Sequence, residues 1–502
     1  MEQQHLERES EGEFRKALGL FDSVMIVAGV MVGSGIFIVS AEITRQVGSA
    51  GWLMVAWLIT GVLTIAGALS YGELAAMMPS AGGMYVYLRE AFSPIFGFLY
   101  GWTLVTVIQT GTIAAVAIAF ARFSGAIFPA ISEKQYLIAP IHLGSSYALS
   151  LSTAQALALV IILLIALINS YGVEWGKLIQ NVFTVAKLTG IVALLGLAAY
   201  AFLRNPQIFH ANFARAWTPI HVTAIGSTEI ATAWGMLVAL CVSQTGSLFS
   251  ADSWHDITFV AGEVRNPKKN LPLSLAIGTS LVIGLYLLCN LCYLAVLPVE
   301  GIQAAPQDRV ATLVVDTVLP GIGKLAMSLL IMVSTFGTVN ALTLAGGRAY
   351  YAMAQDGLFF RRAGVLNRAR VPGWALGLQC LWSLLLVLPR TYNAATGEYG
   401  NLYSNLLDYV ISAALLFYIL TVVGLFRLRV TKPDAVRPYR CWGYPWLPAM
   451  YLVGAAIVLV VLFCYRTSTT WPGLIIILSG IPVYALLRRN AARRSIDEVA
   501  AG

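Results

Sequence analysis

Long apolar runs separated by short polar segments dominate the chain. The hydrocarbon core of a bilayer is about 30 Å thick and takes about 20 helical residues to cross. We find twelve runs of suitable length and number them spans 1 to 12: 20–44, 51–77, 93–121, 153–171, 178–203, 229–260, 273–297, 324–354, 372–389, 402–427, 445–465 and 471–487. The runs are too long and continuous for barrel strands, and lipid offers no partner for unpaired backbone groups. The pattern predicts an all-α integral membrane protein with twelve transmembrane helices.

The composition agrees with a membrane location. Of the 502 residues, 58% are apolar and 11% are charged, whereas a typical soluble domain has about 25% charged residues. This excludes a soluble enzyme, a disordered scaffold and a secreted disulfide protein. The six cysteines lie in or next to apolar segments, so we expect no disulfide framework. The net charge of +8 does not indicate nucleic-acid binding, because the basic residues stand between apolar runs rather than on one basic face.

The basic residues predict the orientation in the membrane. With the N-terminus in the cytoplasm, 22 Lys and Arg residues fall at the cytoplasmic ends of the spans and 8 at the opposite ends. Cytoplasmic loops of membrane proteins carry the excess of Lys and Arg. We therefore expect a multi-pass protein of the cell (plasma or inner) membrane, with cytoplasmic tails at 1–19 and 488–502.

Span 1 contains a helix-weakening triplet, Gly33-Ser34-Gly35. Glycines in membrane helices often serve as packing notches, and this interpretation stays open. Two glycines flanking a serine also free backbone N–H groups at mid-span, where an unpaired N–H is costly unless something binds it. The N-terminus of the resuming half-helix carries partial positive charge, which suits a carboxylate.

Span 6 contains a polar stretch, 243–256, inside a segment otherwise apolar enough to span. It is either a polar face, a misplaced loop, or an unwound segment that faces a cavity. Interruptions in the first and sixth spans favour an inverted five-plus-five repeat with its binding site between the halves. The corresponding units are 20–203 (spans 1–5), 229–427 (spans 6–10) and 428–487 (spans 11 and 12).

Five motifs in register resemble the amino acid–polyamine–organocation superfamily, most closely its L-type amino-acid transporter branch and the bacterial relatives of that branch. The matching stretches are 33–37 (GSGIF), 78–87 (MPSAGGMYVY), 180–187 (QNVFTVAK), 263–272 (EVRNPKKNLP) and 346–357 (GGRAYYAMAQDG). No single motif is specific, but their order and spacing match from residue 20 to about 430.

The resemblance implies a transporter whose substrate lies between the two interruptions. The α-carboxylate of an amino acid is expected on the backbone N–H groups of Gly33, Ser34 and Gly35, and the α-amino group on carbonyls near the span 6 interruption. An aromatic residue at the Phe249 position typically covers the substrate. The full predicted substrate-binding set is Gly33, Ser34, Gly35, Ile36, Phe249, Ser250, Ala251, Asp252 and Trp254.

Lys187 lies well inside span 5, about ten residues from either end, which makes snorkelling implausible. A buried ammonium must pair with carbonyls or a carboxylate, or lose its proton. In the family this position replaces a sodium ion between the first, fifth and eighth helices. The resemblance therefore implies a sodium-independent carrier, by proton coupling or exchange, although a purely structural lysine stays open.

The chain departs from the family at Asp252 and Ser253, where the family usually has small residues or glycine. Asp252 could favour cationic amino acids or amines, could titrate during transport, or could be held by neighbouring donors. His255 and Asp256 follow it. Neighbouring residues on an α-helix point about 100° apart, so we expect these two side chains not to face each other and to carry no catalysis.

Four further charged residues are candidates for a cytoplasmic gate: Glu73, Glu263, Arg265 and Arg348. Each is equally explained as a solvated helix end.

The sequence shows no nucleotide-binding loop, no metal-ligand motif and no nucleophile with a base, so we expect no catalytic residues, no metal, no cofactor and no enzymatic activity. The leading hypothesis is a secondary amino-acid transporter working by alternating access. An amine, polyamine or cationic amino-acid exchanger is the alternative, and a channel or membrane-embedded enzyme is a different class. Because the loop after span 3 has no cysteine, we expect no disulfide-linked accessory subunit and a monomer or homo-oligomer.

Overall fold

A computed structural model describes residues 16–501 except 17, 81, 172, 224–231, 370 and 394–396. The side chains of 173–182 and 490–501 also fall outside the description. The predicted N-terminal tail and the first residues of predicted span 6 therefore lie mostly outside the described residues.

The described part is mostly helical, as predicted. Ten of its helices are long and apolar enough to cross a membrane, or eleven if the bent pair in span 1 is counted as one span. The helices of spans 2 to 8 are Ala50–Met77, Pro94–Ile127, Thr153–Ser170, Val173–Arg204, Ala233–Ser250, Pro267–Val296 and Gly323–Gln355. Span 9 coincides with a shorter apolar helix, Gly373–Val387. Spans 10 to 12 are Leu402–Thr431, Trp446–Tyr465 and Thr467–Ala501, the last of which continues as helix through the predicted tail.

Spans 1 and 6 are not continuous α-helices in the structure. Span 1 consists of Leu20–Met31 and Gly35–Val47, with a bend of 45° between them. The α-helix of span 6 ends at Ser250, and the chain continues as short 3-10 turns at Trp254–Thr258 and Ala261–Glu263. Both interruptions lie where the sequence concentrates glycine or polar residues.

The helices pack in pairs that are five spans apart. Span 1 contacts span 6, span 2 contacts span 7, span 3 contacts span 8 and span 4 contacts span 9. Span 10 packs against spans 3, 6, 11 and 12. The two interrupted spans therefore lie beside each other in the core of the molecule.

A small four-stranded antiparallel sheet corrects the all-helical expectation. Strands β1 (Tyr136–Leu143) and β2 (Tyr147–Ser152) form a hairpin in the loop after span 3. Strands β3 (Pro389–Asn393) and β4 (Glu398–Tyr399) come from the loop after span 9, and β3 pairs with β2. Loops outside the hydrocarbon can pair their backbones as strands, because the restriction to helices applies only in lipid.

Short helices also occur between the spans, at Met84–Ala91, Gln207–Ala214, Val299–Gln303 and Val310–Val318.

Ion pairs join the loops at each end of the helices. At one end, Arg429 pairs with Glu73 at 2.6 Å and Arg348 with Glu263 at 3.1 Å, which links segments near spans 2, 6, 8 and 10. At the other end, Asp308 pairs with Arg45 at 2.7 Å and with Arg122 at 3.3 Å. We name these the inner end and the outer end, after the predicted orientation. The residues of these ion pairs come, at each end, from segments that the basic-residue pattern assigns to one side.

Candidate functional site

A small cavity of about 290 Å³ lies between the interruptions of spans 1 and 6. We name it the central cavity; the stated volume counts all the space among its lining atoms. Its wall brings together six residues of the predicted substrate-binding set: Gly33, Ser34, Gly35, Phe249, Ser250 and Asp252. Val30, Met31, Thr112, Val116, Ser253, Thr338 and Leu342 complete the lining.

The interruption of span 1 presents a helix N-terminus to the central cavity. Gly33 donates its N–H to the carbonyl of Met31 at 2.8 Å, so this N–H group already has an acceptor. Ser34 and Gly35 begin the resuming helix, and the first N–H groups of a helix have no intrahelical acceptor. Of the predicted carboxylate-binding groups, the N–H groups of Ser34 and Gly35 are therefore the better placed to receive an anion.

Spans 1 and 6 approach each other closely at Gly35. A methyl group added there would lie 2.1 Å from Oγ of Ser250 and 2.8 Å from its Cα. Tyr286 of span 7 reinforces the contact, because its hydroxyl lies 2.8 Å from the carbonyl oxygen of Met31 and 2.9 Å from that of Ser250. One hydroxyl thus bridges the two interruptions.

Aromatic and basic side chains cover the central cavity toward the outer end. The hydroxyl of Tyr403 lies 3.0 Å from Oγ of Ser34, and its ring meets that of Phe249 edge-on with centroids 6.0 Å apart. The guanidinium of Arg122 lies over the Tyr403 ring at 5.4 Å. Phe249 therefore belongs to a layered cover in which Tyr403 is the middle element.

Three predicted binding residues lie outside the central cavity. Ala251 and Trp254 line a second cavity of about 370 Å³ toward spans 2, 10 and 11, which we name the lateral cavity. Asp252 borders both cavities. Ile36 is buried, and its carbonyl accepts a hydrogen bond from Tyr293 at 3.1 Å.

Lys187 lies between spans 1, 5 and 8. Its ammonium donates to the carbonyl of Gly29 at 2.9 Å and to Oγ1 of Thr338 at 2.6 Å. The residue is 1% exposed. Thr338 also lines the central cavity, so one side chain separates the lysine from the predicted substrate site.

Asp252 and Ser253 form the turn after span 6. Ser253 has φ of 65° and ψ of 3°, a left-handed conformation that favours glycine. The conformation gives a physical reason for the glycine or small residue that the family resemblance leads us to expect at this turn. Asp252 is 6% exposed, and its Oδ1 accepts a hydrogen bond from the hydroxyl of Tyr418.

The expectation that His255 and Asp256 do not face each other is wrong. Nε2 of His255 lies 3.6 Å from Oδ1 of Asp256, and both side chains are buried. The reason is local backbone geometry, because these residues lie in a 3-10 turn rather than in an α-helix. Nδ1 of His255 lies 3.1 Å from the hydroxyl of Tyr418.

The four gate candidates lie at the inner end in different surroundings. Glu73 is fully buried, receives a bidentate pair from Arg429 and accepts the N–H of Cys441 at 2.6 Å. Glu263 and Arg348 form the half-buried pair already described. Arg265 instead donates to the carbonyl of Lys16 at 3.3 Å, on the N-terminal segment. A further pair lies nearby, where a hydrogen bond from Lys432 lowers the pKa of the Glu90 carboxyl.

Sequence reasoning missed four tyrosine and arginine residues that shape the site: Arg122, Tyr286, Tyr403 and Tyr418. The three tyrosines lie in apolar spans and Arg122 follows directly after predicted span 3. Each is far along the chain from its partner in the site; Tyr403, for example, is 369 positions from Ser34. A polar side chain inside a span is the only signal that could have indicated them. Within the described residues, no group of three or more His, Cys, Asp or Glu residues is arranged to hold a metal ion.

The fold and the site define a polytopic helical membrane protein with a small central cavity beside two interrupted helices. Residues 18–487 match the family model of amino acid permeases. The chain belongs to this amino acid permease family, within the amino acid–polyamine–organocation superfamily.

Curated relatives cover nearly the whole chain. The b(0,+)-type amino acid transporter 1 of Rattus norvegicus is 29% identical over 484 residues, which span 94% of this chain and 88% of the relative. The large neutral amino acids transporter small subunit 2 of Homo sapiens is 29% identical over 474 residues, which span 94% of this chain and 80% of the relative. Both names describe amino-acid transporters, in agreement with the family model.

Proposed function

We propose that this chain is a sodium-independent secondary transporter that carries amino acids across the cell membrane by alternating access. The observation that carries the proposal is the central cavity itself. Its wall combines the helix N-terminus at Ser34 and Gly35 with polar groups of the span 6 turn. Such a wall offers donors for a carboxylate on one side and oxygen acceptors for an ammonium on the other.

The arrangement of the helices supports an inverted five-plus-five repeat. In the proposed architecture twelve spans cross the membrane, with spans 1–5 and 6–10 as the two halves, spans 11 and 12 outside them, and both termini in the cytoplasm. The pairing of spans 1 to 4 with spans 6 to 9 is the packing that two intertwined halves give. The separation of the ion pairs into two ends supports the alternation of the loops.

Sodium independence rests on Lys187. Its ammonium occupies the space between Gly29 and Thr338 and uses a backbone carbonyl and a hydroxyl as acceptors. Oxygen ligands of this kind are also those that a small cation would need. A fixed lysine therefore supplies the positive charge that a sodium ion would otherwise bring to spans 1, 5 and 8.

A second candidate function is exchange of cationic amino acids or amines, including polyamines. The specific observation is that Asp252 borders the central cavity. A carboxylate at the edge of a buried cavity attracts a second positive charge on the substrate. The name of the b(0,+)-type relative specifies no substrate other than amino acids. The distinction between neutral and cationic substrates therefore rests on Asp252.

We propose that the chain functions without a disulfide-linked accessory subunit, as a monomer or homo-oligomer. The loop 122–152, which contains the β1–β2 hairpin, has no cysteine. The name of the human relative describes that protein as a small subunit.

Counterflow in sodium-free proteoliposomes tests the function. Vesicles are loaded with one unlabelled compound and diluted into a solution of the same compound that carries a radioactive label. The compounds are tested one at a time: L-alanine, L-leucine, L-phenylalanine, L-arginine, L-glutamate and putrescine. We expect transient accumulation of at least one L-amino acid, unchanged when sodium is added. Accumulation of L-arginine or putrescine that falls at least tenfold in Asp252→Asn, with neutral amino acids retained, would support the second candidate.

The contradicting outcomes are also specific. No accumulation of any amino acid or amine overturns transport. Accumulation that requires sodium overturns the role given to Lys187.

A further inference from the structure

Four titratable side chains form a continuous buried chain that begins at the central cavity. Asp252 borders the cavity, Tyr418 donates to its Oδ1, and the Tyr418 oxygen lies 3.1 Å from Nδ1 of His255. Nε2 of His255 lies 3.6 Å from Oδ1 of Asp256. Asp252 and Asp256 are 6% and 3% exposed, and His255 is 2% exposed. We name these four residues the acid–imidazole chain.

The groups around the chain are phenols rather than charges. The titratable side chains from the surrounding elements are those of Tyr71 (span 2), Tyr87, Tyr100 (span 3), Tyr350 (span 8) and Tyr451 (span 11). Within the described part of the chain, no Lys or Arg pairs with either carboxylate. Lys187 reaches the cavity wall only at Thr338. Two ionised carboxylates would therefore leave two negative charges buried together without a cation, which is strongly unfavourable.

The contacts admit one additional proton in two arrangements. The 3.6 Å contact between His255 and Asp256 has to shorten for a proton to cross it, and Nε2 of His255 also lies 3.5 Å from the hydroxyl of Tyr100. Tyr418 has a single hydroxyl proton. In the first arrangement the Tyr418 hydroxyl donates to ionised Asp252, and Nδ1–H of His255 donates to the Tyr418 oxygen. Nε2 of His255 then has no proton, so Asp256, which it faces, carries one. If instead Asp252 carries the proton and donates to Tyr418, that hydroxyl donates to Nδ1, and Nε2–H faces ionised Asp256. Both arrangements have a net charge of −1.

These arrangements differ by the shift of one proton along the chain. Asp256 gives its proton to Nε2, Nδ1 gives its proton to the Tyr418 oxygen, and Tyr418 gives its proton to Asp252. Every donor that loses a proton gains one, except at the two ends. The net result is movement of one proton between the cavity and the inner half of span 6, with no other co-reactant.

Asp256 is a suitable inner terminus for such a shift. Its Oδ2 is buried and has no hydrogen-bond partner within the described residues. It lies on the stretch of span 6 that leads to Glu263 and Arg348 at the inner end. Asp256 is therefore the member of the acid–imidazole chain with a free acceptor oxygen on the inner half of span 6.

We propose that the acid–imidazole chain is a proton-binding site that carries one proton inward with each amino acid. The proposal rests on the proposed transport function and names its coupling ion. The proton loads at Asp252 while the central cavity faces outward and leaves through Asp256 when the inner end opens. In this proposal the four residues of the acid–imidazole chain, rather than Lys187, do the coupling.

Proton influx measured together with counterflow tests the proposal. Sodium-free proteoliposomes contain the pH dye pyranine at equal internal and external pH, and L-alanine, L-leucine or L-arginine is added outside. For the wild type we expect internal acidification of about one proton per transported neutral amino acid. Asp256→Asn mimics a permanently protonated carboxyl, so we expect the ratio of proton to amino-acid influx to fall at least tenfold; His255→Gln provides a second interruption of the chain.

Asp408→Asn is the matched control, because Asp408 is also a buried carboxylate, on span 10 but outside the chain. It should keep the wild-type ratio. Wild-type counterflow without acidification overturns the coupling proposal alone, whereas absence of wild-type counterflow overturns the transport function as well. An unchanged ratio of proton to amino-acid influx in both Asp256→Asn and His255→Gln also contradicts the proposal. Loss of counterflow in both variants contradicts it as well, because counterflow needs no net proton movement and a site used only for coupling is dispensable for it.

Discussion

Lys187 shows how one side chain can combine structure and function. Its ammonium has two acceptors, one on span 1 and one on span 8, and both are inaccessible to water. A buried charge without acceptors would cost several kcal/mol, and a buried acceptor left without a donor costs about 1–3 kcal/mol. The lysine and its acceptors therefore depend on one another.

We predict that Lys187→Met lowers both stability and transport. Methionine has a similar length but no donor, so the Gly29 carbonyl and the Thr338 hydroxyl lose their partner. We expect a lower melting temperature and at least a tenfold slower counterflow. Lys324→Met is the control, because that lysine lies exposed at the start of span 8. Equal melting temperatures and equal counterflow for the two variants would contradict the assigned role.

The residues that sequence reasoning could find share one property, an unusual residue in an apolar run. Lys187 and Asp252 were identifiable in this way because a charge inside a span needs a reason. The partners were not identifiable, since Gly29 and Thr338 lie 158 and 151 positions from Lys187. Tyr418 was not identifiable from the sequence, because tyrosines are common in membrane helices.

At the scale of elements, the ion pairs at the inner end differ in burial. Glu73 is inaccessible and neutralised by Arg429 and Arg437, which tie span 2 to span 10 and to the loop that follows it. The Glu263–Arg348 pair is partly exposed, at 21% and 24% of the two side chains. A rocking motion that opens the inner end has to separate such contacts.

We predict that the two pairs contribute very differently to stability. Removing one partner of a buried pair costs about 3–5 kcal/mol, whereas exposed pairs contribute about 0.2–1 kcal/mol. Glu73→Gln should therefore lower the free energy of unfolding several times more than Glu263→Gln. Denaturation of the two purified variants in matched detergent gives the comparison, and equal losses would contradict the burial argument.

The elements themselves were largely predictable where lipid dictates them. Continuous apolar runs indicated the long helices, and glycine or polar clusters indicated where spans 1 and 6 would depart from regular helix. The four-stranded sheet was not predictable, because β2 and β3 pair across more than 200 positions of sequence in loops that lipid does not constrain. The 3-10 turn at Trp254–Thr258 was not predictable either, and it brings the side chains of His255 and Asp256 together.

At the scale of the whole molecule, the central cavity lies where the two proposed halves touch. Span 1 belongs to one half and span 6 to the other, and Gly35 and Ser250 are their point of close approach. The bridging hydroxyl of Tyr286 and the cover formed by Phe249 and Tyr403 surround the same point. Rocking of one half against the other would open this contact alternately to each side, which connects the packing to the proposed transport cycle.

We therefore place the bound substrate at the interface of the two interrupted helices. Equilibrium binding of the labelled amino acid with the fastest counterflow, measured on purified wild-type protein and Gly35→Ala, tests it most directly. A methyl group at Gly35 collides with the backbone of Ser250, so the interface must shift. Gly196→Ala is the matched control, because no atom lies within 4 Å of a methyl group added there.

We expect at least tenfold weaker binding for Gly35→Ala, in a variant that remains folded by its melting transition, and wild-type binding for Gly196→Ala. Wild-type affinity in folded Gly35→Ala would contradict the placement of the substrate between spans 1 and 6.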